Sequence, residues 1–236
     1  MNVKYLIFGL MISCFLSAFA GDMKTEIIKI NDKYKAITNL TIHFEYKLYN
    51  SVNFNKALQV KSCDIKKQGL RSHTVFGLIE TVKNDSESMI VDHEHKIIMV
   101  AKLNSGTAQK KPGEQAMDLP NLDELLKSCT FYFISYSANL ETLHFTFKNA
   151  RMSSAEIVFV VNSYILKKMV IHYGTAGTKD EVRVELVYSG FNTNASLNKS
   201  EFSFDNILKY NRKTGKYEAQ NAYKNYKVLN YNLSDL

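Results

Sequence analysis

Tryptophan is missing from the 236 residues, proline occurs twice and cysteine three times. So little proline does not suit a fibrous or Pro-rich disordered chain. The strings that carry common chemistry are missing too. There is no G-x-S-x-G, H-E-x-x-H, P-loop or dinucleotide fingerprint, and nothing sets a nucleophile beside a base. The expectation is a protein that is not an enzyme and needs no cofactor. Beyond the first twenty residues no run is long and apolar enough for a membrane helix. What is abundant is aromatic: 14 Phe and 14 Tyr, a balance that suits β-structure.

The first twenty residues read as a signal peptide. Lys4 precedes the apolar run 5–16, and Ser17-Ala18-Phe19-Ala20 ends in an A-x-A cleavage pattern. A lipoprotein-type anchor at Cys14 is the less favoured alternative. Residues 21–236 then form a single domain, at home in the periplasm or another extracytoplasmic space. The net charge of +7 is spread along the chain; its first reading is plain solubility, and as a partner surface in an exported protein it points to anionic membranes rather than nucleic acid. Cys63 and Cys129 are an even pair that invites a disulfide, with two buried thiols as the other reading. The residues leave that choice open.

Along the mature chain, Met23, Ile27, Ile30, Tyr34 and Ile37 recur at helical spacing, so 22–37 is an amphipathic helix. The segment 39–49 alternates Leu40, Ile42, Phe44, Tyr46 and Leu48 against Thr41, His43, Glu45 and Lys47, the mark of a strand with one wet and one buried face. Further strands fall at 57–63, 74–82, 89–91 and 96–103. The polar stretch 104–118, with Pro112, reads as a mobile loop. After it, 119–129 is a short helix: Pro120 sits at its start, and Leu122, Leu125, Leu126 and Cys129 form its stripe. Strand 130–136 follows, then a meander of four strands over 141–148, 155–161, 164–173 and 181–188, joined by short turn-rich connectors. In the tail, 202–204, 207–210 and 223–229 look like short aromatic strands. Asp92-His93-Glu94-His95 reads as a charged hairpin turn, because an H-x-H clip without a third ligand does not make a metal site.

This order of elements resembles the LolA-like periplasmic lipoprotein carriers. The shared course is helix, long strand, a turn like Val91-Asp92-His93-Glu94-His95-Lys96, a Pro…Leu-Leu helix (Pro120, Leu125, Leu126), and a meander ending Val182-Arg183-Val184-Glu185-Leu186-Val187-Tyr188-Ser189-Gly190-Phe191. The early-strand Arg-Pro pair of that family is lacking here. The resemblance implies an α+β, mainly β fold: a single curved antiparallel sheet forming an incomplete barrel, covered by an N-terminal helix and a short lid helix. It also implies an apolar cavity for acyl chains. The expected lining is Phe44, Tyr46, Phe131, Phe133, Phe145, Phe147, Phe159, Met169 and Ile171, with Leu122, Leu125 and Leu126 from the lid. Each of these alone is accounted for as core; together they cover more apolar area than one thin helix can cap. The expected partner is a lipid or an acylated protein, with a protein of the inner or outer membrane as a further partner and the chain itself a monomer. The alternative is a structural or regulatory envelope protein with a filled core that docks a protein partner.

Overall fold

The computed structural model describes residues 22–51, 55–102, 122–148, 151–174 and 181–232. The expected signal peptide, the loop 104–118 and Pro120 lie outside them.

Helix α1 (Met23–Lys35) begins where the sequence supplies a cap. Asp22 is extended and its carboxylate accepts from the Lys24 backbone N–H at 3.1 Å, satisfying one of the donors that a helix start leaves unpaired. Its buried residues, Met23, Ile27, Ile30 and Tyr34, form one stripe, which must be laid on something apolar.

That surface is a twelve-stranded sheet. Its strands are β1 (Asn39–Asn50), β2 (Gln59–Gln68), β3 (Arg71–Phe76), β4 (Ile79–Lys83), β5 (Glu87–Asp92), β6 (Ile97–Lys102), β7 (Cys129–Ser137), β8 (Leu140–Phe147), β9 (Met152–Val160), β10 (Leu166–Tyr173), β11 (Val182–Asn192) and β14 (Lys227–Asn232). The spatial order is β14-β6-β5-β4-β3-β2-β1-β11-β10-β9-β8-β7. Each half is a meander, and the two halves meet where β1 pairs antiparallel with β11. The sheet is curved and does not close, so β14 and β7 are its edges. The fold is therefore mainly β, with two α-helices among the described residues, an open curved sheet of the expected kind.

Three local expectations change. The segment 74–82 is not one strand: Gly77 at φ 60 turns the chain, and Phe76 pairs with Ile79 across a two-residue loop. Gly69 at φ 58 does the same between β2 and β3. A glycine leading a two-residue loop is what a tight hairpin turn of this hand requires. The sheet is also not antiparallel throughout, because β14 runs parallel to β6. Third, no disulfide joins Cys63 and Cys129; both thiols are free. Cys63 lies in β2 and Cys129 opens β7, strands with five others between them in the sheet order.

The sheet carries two cores, one on each face. On the face that takes the helices, α1 and α2 (Leu122–Ser128) lie over β7–β11, where Leu122, Leu143, Phe145, Ile157, Phe159, Leu166 and Met169 join the α1 stripe. On the opposite face, the chain after β11 runs as a strap. Glu201 reaches Lys66 at 2.6 Å, and the Gln68 amide donates to Leu197 O at 3.1 Å. The strap then folds into a hairpin of β12 (Leu208–Asn211) and β13 (Lys216–Ala219). Phe204, Ile207 and Leu208 cover Val82, Met89, Val91, Ile98 and Val100. The expectation of one wet face thus fails over β4–β6, where the tail supplies a second cover.

Candidate functional site

Cross-strand register extends the helix face beyond the part that α1 and α2 cover. Opposite residues in a ladder point to the same side. Tyr188 lies beside Phe44, Phe44 beside Cys63, and Cys63 beside Phe76. Further along, Thr81 lies beside Ile90, Ile90 beside Met99, and Met99 beside Leu229. The helix face thus continues across β1–β6 as Phe44, Tyr46, Ile65, Phe76, Ile90 and Met99. None of these six belongs to either core, and all are half-buried. The two covers of this fold sit on diagonally opposite quarters of the sheet, the helices over β7–β11 and the tail over the other face of β4–β6. That leaves an apolar tract on the helix face of β1–β6 with no buried cluster of described residues built on it.

The tract has an ordered interior. The Phe44 and Tyr188 rings are 5.1 Å apart, and Tyr46 meets Phe76 edge-on at 5.6 Å. The Lys61 ammonium lies 5.4 Å from the Phe76 ring centroid, beside the Gly77 turn, a favourable cation–π placement. Burial pushes the Cys63 thiol up to about 11, with the Asp64 charge adding to it. A thiol held protonated is inert, so Cys63 serves as an apolar group here. Burial also raises the Tyr188 hydroxyl well above its ordinary value.

The residues expected to line a cavity are dispersed among four environments. Leu122, Phe145, Phe147, Phe159 and Met169 are buried in the helix-side core, and Leu125, Leu126 and Ile171 pack against it half-buried. Phe44 and Tyr46 lie in the open tract. Phe131 and Phe133 are on the other face of the sheet from Phe145, because a register shift after Cys129 sets Tyr132 beside Phe145 and Phe133 beside His144. They are 59% and 45% exposed, so they do not share a cavity with Phe145. The tract residues that the sequence reading missed are Ile65, Phe76, Ile90 and Met99. One signal for the last two was available: β6 (IIMVAK) is apolar on both faces, and the middle of β5 (Met89-Ile90-Val91) is an unbroken apolar run, a pattern that requires cover on both sides.

The histidines of the 92–95 turn are held by carboxylates. Asp92 accepts from the backbone N–H of Glu94 and His95 and meets the His95 ring at 2.8 Å. The His93 ring lies 3.3 Å from Glu80 and 3.2 Å from the Tyr226 hydroxyl, while His73 takes the other Glu80 oxygen at 2.9 Å. Hydrogen bonding to His73 first, and then to His93, holds the Glu80 carboxyl below the usual range. No set of three or more metal-ligating side chains occurs among the described residues. No described helix is long and apolar enough to cross a membrane.

No protein-family model matches the chain, and no curated protein matches it. Solved structures with a similar course include an uncharacterised conserved protein from Thermus thermophilus, at 8% identity and a TM-score of 0.47, covering 89% of this chain and 100% of that one. Another is the MucA/MucB complex of Pseudomonas aeruginosa, at 10% identity and a TM-score of 0.46, covering 75% of this chain and 59% of that one. A third is a LolA superfamily protein from Nitrosomonas europaea, at 9% identity and a TM-score of 0.36, covering 76% of this chain and 98% of that one. These likenesses are remote.

Proposed function

We propose that the protein is an exported, non-catalytic carrier that holds the acyl chains of a lipid or an acylated protein against the apolar tract on β1–β6. The observation that carries this reading is the mismatch between face and cover. The helix-side core is built on β7–β11, whereas on the helix face of β1–β6 the half-buried Phe44, Tyr46, Ile65, Phe76, Ile90 and Met99 form an apolar strip, with Lys61, Thr74, Thr81 and Lys83 on the same face and Leu40, Ile42 and Cys63 buried at its β1–β2 end. Phe44, Tyr46, Phe76, Ile90 and Met99 supply a surface for a flexible hydrocarbon, and each methylene buried there contributes about 0.8 kcal/mol. Lys61 stands at the Gly77 turn, where a cation suits an anionic headgroup.

The test is titration of a fluorescent fatty acid into the purified protein, with mass spectrometry of the natively purified material for bound lipid. Probe binding that phospholipid competes away, and that Phe76→Asp weakens at least about tenfold, supports the carrier reading. Failure of every probe to bind, with no lipid co-purifying, refutes it.

A further inference from the structure

Strand β7 is an edge of the sheet: among the described residues only β8 pairs with it. Its sequence, CTFYFISYS, contains no charge and no proline. Exposed edges are ordinarily blunted by Lys, Pro or very short length; this strand is nine residues long. The other edge, β14, is engaged by the tail hairpin: the Asn230 side chain accepts from the Tyr217 N–H at 2.8 Å and donates to its carbonyl at 3.3 Å. On β7, by contrast, aromatics stand out on both faces. Phe131 and Phe133 sit 5.7 Å apart on one, with Phe133 stacked on His144 at 4.2 Å. Tyr132 and Tyr136, 41% and 46% exposed, are on the other.

We propose that β7 pairs antiparallel with β7 of a second copy of this chain, about a two-fold axis at Phe133, joining two sheets into one. An open ladder of backbone donors and acceptors is satisfied along its whole length only by another strand. The same patch on both copies makes the contact self-complementary, as a two-fold interface requires. With the axis at Phe133, that ring meets its own copy, Phe131 faces Ser135, Tyr132 faces Ile134 and Thr130 faces Tyr136. Every pair is uncharged, so a chain of net charge +7 meets itself here without like charges opposed, and aromatic cross-strand pairs add to the ladder. Four aromatic side chains, each of about 200 Å² and near half exposed, offer roughly 400 Å² per copy before the backbone is counted. That is about half the ~800 Å² per partner of a standard interface. The dimer is therefore concentration-dependent rather than obligate, and it replaces the monomer expected from the sequence.

Sedimentation equilibrium of the mature chain from about 5 to about 500 µM tests this. The wild type is expected to shift from monomer to dimer across that range. Phe133→Lys, an exposed substitution that opposes two charges at the axis, is expected to weaken dimerisation more than about tenfold, while Phe133→Tyr retains it. Circular dichroism checks that both variants fold. Amide exchange over 130–137 should slow with rising concentration in the wild type and not in Phe133→Lys. A wild type that stays monomeric throughout overturns the proposal. So does a dimer that persists unchanged in folded Phe133→Lys with β7 amides unprotected.

Discussion

Replacing Glu141 by Gln should stabilise the protein at neutral and alkaline pH and do little in acid. Glu141 lies near the start of β8 on the helix face, beside Tyr136 and close to α1. It is 2% exposed, and its Oε1 atom has no hydrogen-bond partner among the described residues. Nearby, Glu26 of α1 is occupied by the Tyr164 hydroxyl at 2.9 Å and by the Lys29 ammonium. Burial, and then the charge of Glu26, raise the Glu141 carboxyl to about 7 from 4.5, with Lys29 opposing. A carboxylate with a raised folded-state pKa binds its proton more tightly in the folded chain. The contribution of Glu141 to stability is therefore highest below 4.5, falls as pH rises from 4.5 to about 7, and is level above that. At 1.36 kcal/mol per unit the penalty reaches about 3 kcal/mol at pH 8. Glu141→Gln keeps the shape and removes the charge, so in urea titrations it should gain about 2–3 kcal/mol over wild type at pH 8 and almost nothing at pH 4. In a chain of this size the corresponding rise in melting temperature is roughly 4–12 °C. Taking the difference between the two proteins at each pH cancels the titrating groups far from Glu141 and leaves Glu141 with its coupled neighbours Glu26, Lys29 and Tyr136. Parallel pH–stability curves, or a variant weaker than wild type at pH 8, would refute the account of a charge buried without compensation.

Two further outcomes bear on the cores. Glu80→Gln removes a carboxylate shared by two histidines and should cost about 1–2 kcal/mol at pH 7 in urea unfolding. Because the folded carboxyl is held low, this contribution is present above its unfolded value and is lost as pH falls through the folded one, so the two curves should merge in acid. Phe145→Ala empties a site that is 1% exposed beneath the helices and should cost about 3–5 kcal/mol. A loss under about 1 kcal/mol would mean that the helix-side core is loose.

The placement of the apolar tract follows from how the sheet's two covers divide its surface. α1 brings a four-residue buried stripe and α2 is seven residues long; together they cap β7–β11. The tail has enough aromatic side chains for a second core but spends them on the other face, where Tyr217 donates to Glu87 at 2.6 Å and Phe204 packs edge-on to it. An open twisted sheet covered on opposite faces at its two ends keeps an apolar quarter at each end with no cover of that kind.

Much of the architecture is written locally. The period-two alternation of β1 and of β8–β11, the Asp22 cap and the spacing of the α1 stripe are each decided by a few adjacent residues, because pleat and helical pitch are properties of short segments. The turn at Gly77 is not read from the sequence: glycine favours the φ of +60 found there, but the apolar residues on either side of it suggest one continuous strand. What alternation cannot carry is which face of a strand meets which cover. Phe131 and Phe133 alternate as cleanly as Phe145 and Phe147, but the register shift after Cys129 turns them to the opposite side, and a slip of one residue reverses every side chain beyond it.

By itself, then, the chain determined its strands, its first helix and the glycines at which hairpins can turn, all of them set by steric and capping preferences a few residues wide. Only the tertiary structure decided that β1 lies against β11, that β14 returns in parallel beside β6, that Cys63 and Cys129 stay apart as thiols, and which apolar quarter lies outside the two cores. Those choices are made between residues far apart in the chain, such as Ile42 and Phe191 in the ladder of β1 with β11. At that separation it is the burial of whole faces, not local preference, that selects one pairing over the others.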